Sequence, residues 1–169
     1  FLVREGNEPL SKRTFKAFHA ELTKLGWKQK FDHGTGGLLG SEKDGWYVST
    51  DDGVCTMEIN APPRETIREC HEQMAALLSK LQAIYRSLGC SIIGVSAFPG
   101  RFDLNRSACG KYCVDDQCCN KSYIKYFNTE RYPVGHHALF IFAANQVWLD
   151  TAPDQLMRQW NAFQSLSPV

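Results

Sequence analysis

Hydrophobic and polar positions alternate most clearly between Val54 and Asn60, where Cys55, Met57 and Ile59 fall on one face and Thr56, Glu58 and Asn60 on the other. Two-residue periodicity predicts a strand, and a carboxylate between two hydrogen-bonding side chains gives its outer face a polar character suited to chemistry. After Pro62-Pro63 the period changes. Ile67, Cys70, Met74, Leu77, Leu78, Leu81, Ile84, Tyr85 and Leu88 recur at three- and four-residue steps, predicting a long amphipathic helix that lies on the neighbouring sheet. Thr66 and Glu69 have capping-box spacing at its start, and Gly89 is placed to end it. Ser91 to Ser96 reads as the next strand.

Upstream, Phe1-Leu2-Val3 reads as the end of a strand and Gly6-Asn7-Glu8-Pro9 as a turn. Ser11 introduces a helix with Phe15, Phe18, Leu22 and Leu25 on one stripe, closed by Gly26. His19 borders that stripe and reads as a surface or core-edge residue rather than a ligand. Trp27 to Phe31 reads as a short strand. Trp46 to Thr50, the turn Asp51-Asp52-Gly53 and Val54 to Asn60 form an expected hairpin. His33 to Gly37 is glycine-rich, but its spacing matches neither dinucleotide nor P-loop fingerprints, so it reads as a connection.

Downstream, residues 101–129 have no regular pattern. His136 to Phe142 is apolar on both faces, as in an interior strand. Asn145 and Gln146 follow within the same run, where an unpaired amide costs a few kcal/mol, so they are either satisfied structurally or aimed at a ligand. Pro153 and Asp154 open a last helix, with Leu156, Met157, Trp160 and Phe163 as its expected buried face. The elements make one mixed α+β unit.

Composition narrows the function. With 169 residues, 43% of them hydrophobic, the chain supports one domain with a core. A net charge of +1 argues against broad binding to nucleic acid or anionic membrane, and no apolar run approaches the ~20 residues that span a bilayer. Seven cysteines are an odd number, and Cys55, Cys70 and Cys90 fall in expected core elements. That usage, with Arg4-Glu5 following directly on Phe1-Leu2-Val3 where a signal peptide would be apolar, favours a reducing cytoplasm. Cys109, Cys113, Cys118 and Cys119 surround Asp115 and Asp116, but adjacent cysteines suit one zinc ion poorly, and a cysteine-rich loop is the simpler reading.

Two stretches carry a resemblance. Glu58-Ile59-Asn60-Ala61-Pro62-Pro63, with the helix and Ser91-Ile92-Ile93-Gly94-Val95 after it, resembles the glutamate–cysteine ligase family. Phe142-Ala143-Ala144-Asn145-Gln146-Val147-Trp148-Leu149-Asp150 is similar to that family's Gln-Val-x-x-Asp strand, and Leu10-Ser11 and Gly26-Trp27 also fit. The resemblance implies a glutamine synthetase-like antiparallel sheet with flanking helices, apparently incomplete, whose polar face holds ATP, Mg²⁺ and substrates. It implies ATP-dependent joining of glutamate to an amine such as cysteine through an acyl phosphate.

By the same resemblance Glu58 is the expected metal ligand, and Gln146 a metal and nucleotide ligand. Asn145 lies on the nucleotide side, and Arg131 and Arg101 are candidates to hold the substrate carboxylate. Asn60 stands where the family has serine, and Asn145 where it commonly has threonine. The family's first-strand acids would lie upstream of Phe1 and the second half of its catalytic domain beyond Val169. Residues 1–169 are therefore expected to be a partial catalytic domain with an irregular insertion at 101–129, dependent on the remainder of that domain and inactive alone. Two other readings stay open: a binding or interaction domain that kept the sheet without the chemistry, and a metal- or redox-responsive cysteine loop.

Overall fold

The computed structural model describes residues 1–34, 36–50, 55–95 and 152–166. The expected strand at the start is β1 (Leu2–Glu5), which turns through Gly6-Asn7 into the two-residue strand β2 (Glu8–Pro9). The turn is shorter than the four residues expected, because Gly6 takes a φ of +63° and Pro9 already pairs with Arg4. Ser11 caps α1 (Lys12–Lys24), its Oγ accepting from the Thr14 amide at 3.3 Å. At the other end Lys43 Nζ donates to the Leu25 carbonyl at 2.7 Å, beside Gly26 at φ +84°.

Next come β3 (Lys28–Phe31), β4 (Leu38–Lys43), β5 (Trp46–Thr50) and β6 (Met57–Asn60), each antiparallel to the one before. The pattern of Leu38 to Lys43 predicts no strand, yet β4 is paired on both sides. Gly40 interrupts its alternation for a packing reason: a Cβ there would stand 2.5 Å from the Val48 carbonyl oxygen. The turn from β4 to β5 is Asp44-Gly45, with φ of +50° and +81°, a two-residue hairpin turn. The turn expected at Asp51-Asp52-Gly53 lies outside the described residues, though the β5–β6 pairing it would serve is present.

Helix α2 (Ile67–Ser87) starts as expected, with Thr66 Oγ1 accepting from the Glu69 amide at 3.1 Å, and stops at Gly89 with φ +77°. Strand β7 (Cys90–Ile93) follows and returns to pair with β1. A single 3₁₀ turn (Pro153–Gln155) leads into α3 (Leu156–Leu166).

The strands form a four-stranded sheet β3-β4-β5-β6 and a three-stranded sheet β2-β1-β7. Backbone bonds join them: Val3 N–H to the Cys55 carbonyl at 2.7 Å, Met57 N–H to the Phe1 carbonyl at 2.8 Å, and an antiparallel bridge between Leu2 and Thr56. The strands therefore run β3-β4-β5-β6-β1-β7, antiparallel throughout, in the expected α+β class.

Both long helices cover the same sheet face. Val3, Val48, Cys55, Met57 and Cys90 meet Phe15, Phe18 and Leu22 of α1 and Leu81 and Tyr85 of α2. The Phe18 and Tyr85 rings stack at 3.9 Å between centroids, 6° from parallel. On β7, whose one described strand partner is β1, the Ile92 amide donates to Gln82 Oε1 of α2 at 3.1 Å.

Three expectations need correction. The apolar stripe of α2 lies on the described core only from Leu77 onward, and Ile67 is 82% exposed, with no described element covering it. Leu156, Met157 and Trp160 of α3 are not a buried face: they are 58%, 68% and 58% exposed, with no described element covering them. His19 is not a surface residue but sits 1% exposed in the core. Phe163 has no described side chain, and the strand read from His136 lies outside the described residues. Among the described residues no helix is long and apolar enough to cross a membrane.

Candidate functional site

Strand pairing sorts the side chains into two faces, since directly opposed residues in an antiparallel ladder share one. Met57 and Ile59 of β6 face the helices. Glu58 and Asn60 face away, opposite Ser49 and Tyr47 of β5. One strand further, Tyr47 is opposite Glu42 and Ser49 opposite Gly40. Lys28 and Lys30 of β3 join the same face, opposite Glu42 and Gly40. The side of the sheet away from α1 and α2 thus carries a band of carboxylate, amide, phenol and ammonium groups, with the Ser49 hydroxyl only 5% exposed. The polar face expected from the alternation around Glu58 is present and wider than that strand.

Thr56 belongs to this face by position, but it is buried where β6 meets β1, whereas Glu58 and Asn60 are exposed. Lys30 Nζ bridges to Glu42 Oε1 at 2.9 Å, both side chains nearly half exposed. An ion pair so hydrated contributes about 0–1 kcal/mol, so it organises the face more than it stabilises it. Tyr47 reports on its neighbours. Its phenol is raised above the usual range by partial burial, then by the Glu58 carboxylate; Lys30 pulls the other way and Glu42 adds to the rise. At neutral pH it is a protonated hydrogen-bond donor lying between two carboxylates.

Of the expected site residues the structure describes Glu58, and places it, exposed, on the polar face away from the helices. Asn145, Gln146, Arg101, Arg131 and the cysteines of the 101–129 loop lie outside the described residues. Among the described residues no three His, Cys, Asp or Glu side chains group as metal ligands. Cys55 and Cys90 are buried, and burial pushes the Cys55 thiol up to about 12, a poor state for ligating metal or for redox exchange.

Glu42, Tyr47 and Lys30 were not expected at the site. Asp44-Gly45 carries the missing signal: a two-residue turn there sets Lys43 opposite Trp46, and the register then brings Glu42 beside Tyr47.

The donor set suits a hard cation in part. Glu58 offers exposed carboxylate oxygens with the Asn60 amide two residues on, and Mg²⁺ takes oxygen ligands, commonly one or two protein carboxylates with waters and phosphate oxygens. No curated protein matches the chain. The family described as glutamate-cysteine ligase family 2 matches residues 1–169, the full sequence. The match over residues 1–169, on an antiparallel α+β fold, places the chain in glutamate–cysteine ligase family 2.

Proposed function

We propose that residues 1–169 are the N-terminal part of the catalytic domain of a cytoplasmic, ATP- and Mg²⁺-dependent carboxylate–amine ligase that makes γ-glutamyl amide bonds. Glutamate is the acid and an amine such as cysteine the acceptor. The observation that supports this is Glu58, an exposed carboxylate on the sheet face away from α1 and α2 in a family-matched chain.

The chemistry demands two displacements. An oxygen of the glutamate side-chain carboxylate attacks the terminal phosphorus of ATP and ADP leaves, giving an acyl phosphate. The amine nitrogen then attacks the acyl carbon, phosphate leaves, and the nitrogen loses its proton. The first step brings anions together, and bound Mg²⁺ supplies the charge neutralisation that this needs. Glu58 and Gln146 would hold the metal. Gln146 and Asn145 would contact the nucleotide, and Arg131 or Arg101 would hold the substrate carboxylate through paired N–H donors.

In the complete natural protein, Glu58→Ala is expected to lower kcat/KM for ATP turnover by at least about 100-fold, since even outer-shell partners of metals cost 10–100-fold. Its stability should move by less than about 0.5 kcal/mol, because the side chain is exposed. Steady-state kinetics with thermal unfolding on the same sample check both. Near-normal turnover would remove Glu58 from the site, and a wild-type protein without ATP–Mg²⁺ affinity would favour a non-catalytic domain.

A further inference from the structure

Glu58 and Asn60 sit close to a strand exit that has few backbone bonds among the described residues. β6 is laddered to β5 along its length, but among the described residues its other edge is bonded to Phe1 through Met57 and not beyond. Past Asn60, Ala61 to Glu65 lie in neither helix nor strand, and the Thr66 carbonyl takes the first bond of α2, from the Cys70 amide at 3.1 Å. Side chains hold this segment instead. Pro62 lies against the β4–β5 turn, where a Cβ added to Gly45 would stand 3.0 Å from Pro62 Cβ. Arg64 Nε donates to Gln73 Oε1 of α2 at 2.6 Å, and its Nη1 to the Pro63 carbonyl at 3.1 Å.

Glu69 completes the arrangement. In a full capping box its carboxylate would return to the Thr66 amide. Here it accepts from Gln73 Nε2 at 3.0 Å and lies 3.7 Å from Arg64 Nε. Half of the box is made, and the other half is turned to the loop. A helix start that gives up a cap bond in this way ties the strand exit to the first turns of α2, the part of that helix least covered by the core.

We propose that Arg64 is a positioning residue: through the Pro63 carbonyl and Gln73 it fixes the exit of β6, and with it the orientation of Glu58 toward a divalent cation. This rests on the reading of Glu58 given above. It assigns Arg64, Gln73 and Glu69 to one latch that acts through the strand and touches no ligand.

The test uses the complete natural protein and Mn²⁺ as the probe, with free Mn²⁺ followed by electron paramagnetic resonance. Arg64→Ala is expected to weaken Mn²⁺ binding roughly 10-fold, as for loss of an outer-shell support, at an unchanged circular dichroism spectrum. Gln73→Ala should shift it in the same direction, and the double variant should be no worse than Arg64→Ala, because the two belong to one network. Should Arg64→Ala fail to fold, Gln73→Ala decides. Wild-type Mn²⁺ binding in the folded latch variants, with binding lost in Glu58→Ala, would overturn the latch alone. Wild-type binding in Glu58→Ala would remove the Glu58 reading, and the latch with it.

Discussion

His19 is held between two phenylalanines and a serine. Its ring meets Phe15 and Phe18 edge-on, at 4.5 and 5.1 Å between centroids, and Nδ1 is 2.8 Å from Ser41 Oγ. Burial lowers its pKa from 6.5 to about 4. The unfolded chain binds this proton below pH 6.5 and the folded protein only below about 4, so acid favours unfolding. The contribution is intact above pH 6.5 and is lost progressively as the pH falls toward 4. At about 1.4 kcal/mol for each tenfold change in proton affinity, the full loss is roughly 3–4 kcal/mol. Urea unfolding of wild type and His19→Leu at pH 7 and pH 4.5 isolates the effect from the carboxylates. The variant should be about 1–3 kcal/mol less stable at pH 7, with the Ser41 hydroxyl unpaired, and the gap should narrow in acid. A gap that is constant with pH would contradict the assignment. The stripe Phe15-Phe18-Leu22 shows His19 only at its border; Ser41, its partner, comes from β4, which the pattern of Leu38 to Lys43 conceals. Glu58 differs because the alternation that orients it lies within its own strand.

At the scale of elements, α2 shows what periodicity can and cannot convey. The recurrence from Ile67 to Leu88 identifies the inward face correctly, but a repeat carries no information about how far the opposing surface extends. Leu81 is 1% exposed and Ile67 is 82% exposed on the same stripe. Leu81→Ala should therefore cost about 2–5 kcal/mol, the range for emptying a core leucine. Ile67→Ala should change stability by no more than about 0.5 kcal/mol. Denaturant titration of the two variants measures the contrast, and equal losses would mean that the first turns of α2 are covered after all. The same reasoning applies to α3, whose apolar face is legible from spacing while its burial is not. Caps were the most readable features. Ser11, Thr66, Gly26 and Gly89 act where they were expected, because capping depends on a few neighbouring residues rather than on distant ones.

Across the whole molecule, the α+β class follows from local patterns, whereas the order of strands does not. β3 to β6 form a meander in which each strand pairs with the next in sequence. β1 pairs with its successor β2 but also reaches distant strands: it lies between β6 and β7, and Phe1 bonds Met57, 56 positions away. Two-residue alternation in Leu2 to Glu5 names no partner, so no inspection of that stretch could have located it. The placement has a consequence in time. Joining β1 to its neighbours closes long loops, while the meander closes short ones, and loop-closure entropy delays the former. During refolding, hydrogen-exchange labelling should find amides of β4 and β5 such as Val48 protected before those of Val3 and Met57. Simultaneous protection would contradict this order. On this kinetic scheme β1, with β7 that pairs with it, is the last to join β6, so the seam between β1 and β6 stays open longest as the protein forms.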